Sequence, residues 1–383
     1  MEKIYYELRD RLARTPQGFP STGTGLELKI LKKLFNPEQA ELFVKLADNR
    51  TLFQMAVRPD NKKLQKKLKM TEEALDKKLK EMSSEGLLLR QRLNDNPDTP
   101  EYFLPGYIVG LYEYSGKKMD KELAQLCMEY ISYIAEWMNA VPTKQLRAIP
   151  VEKTINTEKT VLPYNKLSEV LKGHTRYAIS PCVCAKEHSV LGKKCKGPME
   201  RCISFDWYAD HWIDSGLGRE ASLEEVNDLL IEAEKKGLMM FPSNTFPIIG
   251  MCLCCDCCCS ALKIINYEKA PARNIQSAYA AKIDPEKCEG CGTCVDRCNI
   301  AAIKNNNDIY EIDLDRCLGC GLCVSTCPND AIEMFNNGKT YEVTKGSIPM
   351  CLNIYEEQIK VGNLPKKDLP KVKLTKFLLK LFS

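Results

Sequence analysis

Histidine, tryptophan and long apolar stretches are scarce in this chain of 383 residues. No run approaches the roughly 18 apolar residues of a membrane-spanning helix, which argues against a membrane bundle. Residues 1–10 lack the apolar stretch of a signal peptide, so we expect a cytoplasmic protein. Of the three histidines, only His188 lies among candidate metal ligands, and an isolated histidine is more often a surface or hydrogen-bonding residue.

Nucleotide-binding motifs and a broad basic field are also missing from the sequence. The Gly-Thr-Gly at 23–25 follows no strand pattern and lacks the Gly-Lys-Ser/Thr ending of a phosphate loop. The net charge is +4, of which residues 365–383 contribute six lysines and one aspartate, or +5, leaving −1 for the rest. A protein that coats nucleic acid would show a wider positive field. No flavin or nicotinamide fingerprint and no nucleophile–base pair is visible.

Cysteine, by contrast, is abundant, and 18 of the 20 cysteines fall between Cys182 and Cys327. Thiols stay reduced in the cytoplasm, so this clustering indicates metal ligands rather than disulfides. Cys127 and Cys351 lie outside the stretch. Cys127 falls on the apolar face of a helix predicted over 119–139, where a free cysteine is usually a small core residue.

The pattern predicts an α+β multidomain chain that begins with an arm (1–25) and a winged-helix-like helical domain (26–112). A helix starting at Thr71 and stopped by Gly86 would be the recognition helix, followed by a hairpin. Its lysines 77, 78 and 80 would contact phosphates if the domain bound DNA, although protein docking is the favoured role. A helical connector and extended linker should follow over 113–163.

The pattern C-x2-C-x2-C-x3-C occurs twice, at 288–298 and 317–327, with an offset of 29 residues. The match extends upstream, where Lys-Ile-Asp-Pro-Glu-Lys at 282–287 parallels Glu-Ile-Asp-Leu-Asp-Arg at 311–316. Three thiolates spaced in this way wrap three corners of an iron–sulfur cube, while the fourth cysteine reaches a second cluster. Two zinc sites would not need a third cysteine in each loop.

These motifs resemble the bacterial two-[4Fe-4S] ferredoxins, and we expect such a domain over 278–337. The resemblance implies one cluster on Cys288, Cys291, Cys294 and Cys327, and a second on Cys317, Cys320, Cys323 and Cys298. Cys327 is followed by Pro328, as in that family, whereas Cys298 is followed by Asn299. The missing proline removes no ligand but can alter the hydration and potential of the second cluster.

Ten further cysteines predict a central α/β cysteine-rich metal module over 164–270, with strands and helices between two groups of ligands. The first group has four members and the second six: Cys182, Cys184, Cys195 and Cys202, then Cys252, Cys254, Cys255, Cys257, Cys258 and Cys259. Our preferred division assigns one [4Fe-4S] cluster to the first group and another to four of the six. Mixed ligation between the groups and an all-thiolate zinc site stay open.

The order of these cysteine motifs, together with Pro-Met-Glu-Arg-Cys at 198–202, is similar to a family of ferredoxin-domain proteins common in anaerobic bacteria and archaea. Members are described as iron–sulfur electron carriers, so the resemblance implies two to four clusters and leaves the partner open.

Residues 338–383 should form a tail that ends in a basic amphipathic helix, which suits a protein partner or an anionic membrane surface.

The sequence therefore predicts an iron–sulfur protein that relays low-potential electrons to or from a partner oxidoreductase. It is more consistent with a carrier or subunit than with a stand-alone enzyme, and no catalytic residue is assigned. Two alternatives remain: a redox-responsive transcriptional regulator that uses the winged helix, and a reductase with a substrate-accessible cluster in 252–259.

Overall fold

The computed structural model describes residues 2–47, 56–155, 165–273, 275–306, 309–339, 341 and 343–381. The sequence also predicts a helix from Pro37 to about Asp48, and its last residue lies outside the described residues, as do linker residues 156–164. Among the helices that are described, none is both long enough and apolar enough to cross a membrane.

The N-terminal region is mostly helical and carries one hairpin. Its elements are α1 (Glu2–Leu12), α2 (Leu26–Leu34), α3 (Pro37–Leu46), α4 (Lys62–Leu68), α5 (Glu72–Ser84), β1 (Leu89–Leu93), β2 (Asn96–Phe103), α6 (Tyr112–Tyr114) and α7 (Lys121–Asn139). Val57 forms an isolated bridge with Tyr102 of β2. The helix that begins at Thr71 and the hairpin after it were predicted from the sequence, whereas α1 was not, and membership of the winged-helix class stays a prediction.

Local sequence sets where several of these helices begin. The Thr71 side chain accepts a hydrogen bond from the Ala74 amide and caps α5, as predicted, and Asp120 caps α7 through the Leu123 amide. Each cap satisfies a backbone donor that would otherwise have no partner at a helix N-terminus.

The N-terminal segment is not an isolated arm, because α1 packs into the core. Tyr5, Leu8 and Leu12 are buried in one cluster with residues of α2, α3 and α7. Val183 and Ile264, from the cysteine-rich module, belong to the same cluster. Residues 1–25 therefore include a packed helix, and the N-terminal region shares part of its core with the cysteine-rich module, while the domain boundaries themselves stay predictions.

The central module is built on a five-stranded antiparallel sheet of order β5-β3-β4-β7-β6. Its elements are α8 (Leu167–Leu171), β3 (Tyr177–Pro181), α9 (Val183–Val190), β4 (Glu200–Phe205), α10 (Asp206–Asp214), β5 (Arg219–Ala221), α11 (Leu223–Lys235), β6 (Met239–Pro242), β7 (Gly250–Cys254) and α12 (Ser260–Asn266). A capping box between Ser222 and Glu225 begins α11.

The C-terminal part contains two antiparallel pairs of strands, β8 with β11 and β9 with β10. The elements are β8 (Tyr279–Ile283), α13 (Thr293–Arg297), β9 (Ile303–Asn306), β10 (Ile309–Ile312) and β11 (Ile332–Asn336), followed by α14 (Ser347–Lys360) and α15 (Leu369–Leu381). The amphipathic helix predicted at the end of the chain corresponds to α15, whereas α14 was not predicted.

Candidate metal centres

The eight C-terminal cysteines line two separate small cavities. One cavity, of about 20 Å³, is lined by Cys288, Cys291, Cys294 and Cys327. The other, of about 30 Å³, is lined by Cys298, Cys317, Cys320 and Cys323. Each cavity thus takes three cysteines from one repeat and the fourth from the other, which is the arrangement that the ferredoxin resemblance implies.

Hydrogen bonds around the two cavities repeat with the same 29-residue offset as the sequence. The Ala331 amide donates to the Cys327 sulfur at 3.3 Å, and the Ala302 amide donates to the Cys298 sulfur at 3.1 Å. Backbone N–H donors directed at sulfur stabilise the thiolate form and tune a cluster's potential. The duplication in sequence is therefore also a duplication of the sulfur environment.

Glycine is required where one of these loops turns against the sheet. Gly319 has φ of +64°, and a Cβ at this position would overlap the backbone of Tyr279 in β8. A side chain would be strained by the left-handed backbone and blocked by the strand. Gly290, its counterpart in the first repeat, has φ of +69°.

In the central module, strand pairing brings distant cysteines together. Cys202 of β4 lies opposite Cys252 of β7, and Cys254 is two residues further along β7, on the same face as Cys252. Cys182 and Cys259 immediately precede α9 and α12. The sulfurs of the ten cysteines consequently form two groups in space, and these groups do not follow the order of the cysteines in the sequence.

The first group is compact and contains Cys195 together with Cys255, Cys257 and Cys258. All four sulfurs lie within 4.8 Å of one another. Cys195 is 3.5 Å from Cys255, Cys257 and Cys258, and Cys255 is 3.0 Å from Cys257. Four thiolates around one ion at about 2.3 Å form a tetrahedron with edges of about 3.8 Å, so the group suits a single metal ion better than a cube.

Arg201 supplies a buried positive charge to this group. Its guanidinium donates to the sulfurs of Cys195 at 3.0 Å and Cys258 at 2.9 Å, and it is only 1% exposed. Hydrogen bonds from Cys258 and Cys257, with Arg201 alongside, lower the pKa of Cys255 to about 4. Burial and the hydrogen bond to Cys255 raise the pKa of Cys257 to about 11, and the hydrogen bond to Cys255 also raises the pKa of Cys258. Without a metal, the group therefore favours a thiolate at Cys255, the form of cysteine that binds metal.

The second group is an extended row of six cysteines around a larger cavity of about 160 Å³. Successive thiols are hydrogen-bond neighbours in the order 182, 184, 259, 254, 252, 202, and the sulfurs of Cys254 and Cys259 are 3.1 Å apart. We call this group the six-cysteine row. Within the described part of the chain, only the Cys195 group has all its potential ligand atoms within 4.8 Å of one another, so the row is more open.

Two carboxyl groups flank the six-cysteine row, the half-buried Glu113 and the buried Glu187. Burial raises the pKa of Glu113 to about 8 and that of Glu187 to about 7, which favours their neutral forms. Tyr112 donates to Glu187 at 2.8 Å, and its hydroxyl is 3.8 Å from the Cys184 sulfur. These groups add little negative charge next to the thiols.

Asn299 connects the ferredoxin-like region to the compact group. Its Oδ1 accepts hydrogen bonds from the Asp256 amide and from Lys196 Nζ, both at 3.1 Å, and its Nδ2 donates to the Gly237 carbonyl. Asp256 lies between Cys255 and Cys257, and Asn299 directly follows Cys298. The position where the ferredoxin proline is missing is thus a contact between the two sets of cysteines.

The preferred four-and-four division does not describe the surroundings of Cys195, which instead show the mixed grouping that the sequence left open. This residue joins Cys255, Cys257 and Cys258, because the loop after α9 reaches the turn after β7. Cys254 and Cys255 are neighbours in sequence but belong to different groups. Sequence reasoning missed Arg201, although the Pro-Met-Glu-Arg-Cys motif contains it, and it missed the flanking carboxyls.

The chain has two cysteine-lined cavities with duplicated amide-to-sulfur bonds, next to further cysteine groups. These features define an iron–sulfur protein. Residues 281–334 match the family model of a 4Fe-4S dicluster domain, which confirms a ferredoxin-type domain in this part of the chain. No curated protein and no solved structure shows significant similarity to the chain.

Proposed function

We propose that the chain relays single electrons between a partner oxidoreductase and a buried metal centre in its central module. In this proposal, the two ferredoxin sites each hold a [4Fe-4S] cluster on the cysteines that line their cavities. The protein supplies fixed positions and sulfur environments, which set the potentials of such clusters.

The observation that carries this proposal is the contrast between the two ferredoxin sites. Cys291, at the first site, is exposed, which gives a partner access to that end. At the second site, Cys298, Cys317 and Cys320 pack on the same apolar core as Cys254 and Cys259 of the six-cysteine row. The two sites therefore form a path from the surface to the central module.

The compact Cys195 group has a different proposed role. Its short sulfur-to-sulfur distances and the buried Arg201 support one tetrahedral ion, either zinc or iron. An ion here would tie the loop after α9 to the turn after β7, and so stabilise the surroundings of the electron path.

The transcriptional-regulator alternative has less support. Arg92 of the hairpin donates to Asp214 at 2.8 and 2.9 Å, and Arg90 pairs with the same carboxylate at 2.7 Å. On α5, Lys78 pairs with Glu38 and Lys80 with Asp76. The hairpin thus uses its arginines to contact α10, where they are not free to meet phosphates.

The C-terminal helix is the proposed contact for a further partner. Leu374, Phe377 and Leu378 of α15 are exposed, and lysines lie between and beside them. A basic surface with an apolar strip suits an acidic protein partner. The alternative is an anionic membrane surface, which the basic charge of the tail also suits.

A redox titration of anaerobically purified protein, followed by electron paramagnetic resonance, tests the main proposal. We expect two reversible one-electron cluster signals from the ferredoxin sites and at least one further reducible centre. In a Cys291→Ser variant, the first of these signals should change while the second is retained. Protein that binds no iron, or clusters that do not reduce reversibly, would contradict the proposal.

A further inference from the structure

We propose that the six-cysteine row holds one iron–sulfur centre with more than four irons. The inference rests on the proposed function in one respect, namely that the chain is loaded with iron and sulfide. The ligands are the row's six cysteines, Cys182, Cys184, Cys202, Cys252, Cys254 and Cys259, all of which line one cavity.

The number of ligands is the first argument. A [4Fe-4S] cube takes four thiolates, one for each iron. The row offers six neighbouring thiols, and its sulfurs form a continuous series in which Cys184, Cys259, Cys254 and Cys252 occupy the middle positions. A single cube would leave two buried thiols beside it without a metal, and no disulfide joins them.

The size of the cavity is the second argument. The ferredoxin cavities measure about 20 and 30 Å³, and each is lined by the four cysteines expected for one cube. The cavity along the row measures about 160 Å³. The cavity beside the six-cysteine row is therefore at least five times larger than either ferredoxin cavity.

Charge is the third argument. Six thiolates in an apolar surrounding carry a large negative charge, and burying it without compensation is costly. Arg201 borders the cavity, as does Lys144, whose Nζ is already bonded to the Met138 and Val141 carbonyls. A metal core with more irons brings more positive charge, and it thereby compensates six thiolates better than one cube does.

The remaining surroundings fit a metal core rather than a polar ligand. The lining of the cavity is largely apolar and includes Ile108, Ile264 and Met350. The Ser260 amide donates to the Cys184 sulfur at 3.4 Å, which resembles the amide-to-sulfur bonds at the ferredoxin sites. The cavity thus combines six cysteines, an amide donor and a largely apolar lining.

Iron and acid-labile sulfide per chain test the inference, with the compact group removed by the double variant Cys195→Ala/Cys257→Ala. Two ferredoxin cubes account for about 8 irons and a third cube would bring the total to about 12. We expect clearly more than 12 irons in samples whose ferredoxin signals integrate to two cubes. Cys351→Ala, which changes a cysteine outside all groups, is the matched control and should retain the wild-type metal content.

A total near 12 would overturn the inference, since the row would then hold one cube and leave space for a small molecule. A total near 8 would overturn it as well, because the row would hold no iron. Fewer than about 8 would overturn the proposed function itself. Should the double variant fail to fold, the intact mass of the wild-type chain under native conditions gives the same count for each loaded species.

Discussion

At the scale of single residues, the central module depends on charged and titratable groups placed where water is excluded. Arg201 and His211 are both essentially unexposed, at 1% and 0%. One is a cation that balances thiolates, and the other is a base kept neutral by burial. Their substitution should affect stability in different ways. Replacing Arg201 should lower the stability at neutral pH, whereas replacing His211 should change how stability depends on pH.

Replacing Arg201 with methionine should destabilise the protein strongly. The change preserves much of the side-chain volume but leaves the thiolates of the compact group without their cation, and breaking a buried pair in this way costs about 3–5 kcal/mol. Arg219→Met is the matched control, because its ion pairs with Glu200 and Glu225 are exposed and contribute only about 0–1 kcal/mol. Anaerobic thermal unfolding should separate the two variants clearly, and equal melting temperatures would show that Arg201 does not balance the group.

His211 should make the protein less stable as the pH falls below 6.5. Burial lowers the pKa of His211 to about 3 from an ordinary value of 6.5. Between these values the unfolded chain binds a proton that the native protein does not, so stability decreases by about 1.4 kcal/mol per pH unit.

The His211→Asn variant isolates this effect, since an asparagine oxygen can accept the Arg90 amide hydrogen that Nδ1 accepts in the wild type. Between pH 7.5 and 5.5, its melting temperature should fall less than that of the wild type. His188→Asn, at a half-buried position, should keep most of the wild-type slope, and parallel slopes for all three proteins would contradict the assignment.

At the scale of elements, each ferredoxin loop depends on a few backbone conformations and on its distance from the neighbouring strand. Gly319 and Gly338 both have positive φ, at +64° and +75°. They differ in surroundings, because a Cβ at Gly338 would meet nothing within 4 Å, whereas one at Gly319 would meet the β8 backbone.

The Gly319→Ala variant should therefore lose the cluster of the second ferredoxin site. The loop has to move away from Tyr279, and it carries Cys317 and Cys320 with it. Gly338→Ala should cost only about 1–2 kcal/mol, the ordinary penalty for an alanine with left-handed backbone. Paramagnetic resonance should find one cube in the first variant and two in the second, and two intact cubes in both would refute the steric argument.

Sequence predicted the ferredoxin domain well because its ligands are local. Three cysteines of each cavity lie within one loop, and the resemblance to ferredoxins implies the fourth. The grouping of Cys195 was less predictable, since it depends on how β4 pairs with β7 and on where two connecting segments meet. Helix α1 was missed for a related reason: Tyr5, Leu8 and Leu12 are few in a charged segment, and their burial depends on packing against α2 and α3.

At the scale of the whole molecule, the second ferredoxin site and part of the six-cysteine row share one apolar core. The apolar core around Met239, Phe241 and Leu262 includes residues that precede, form and follow the central sheet, and it reaches Leu318 and Leu322 of the ferredoxin loops. Electron transfer along the proposed path therefore requires no docking step between the second ferredoxin site and the central module. Contacts across this boundary should control the rate of that step.

Asn299 is the contact at which this can be tested. The Asn299→Ala variant removes the acceptor of the Asp256 amide and of Lys196 Nζ, and it leaves the buried Gly237 carbonyl without its donor, at a cost of about 1–3 kcal/mol. After rapid mixing with dithionite, we expect a first phase in which both ferredoxin clusters are reduced as in the wild type. The second phase, in which the metal centre of the central module is reduced, should be slower. Pro328→Ala, at the exposed equivalent position of the other repeat, is the matched control and should leave both phases unchanged. If Asn299→Ala lowered stability without slowing the second phase, the contact would hold the two regions together but would not carry the electron path.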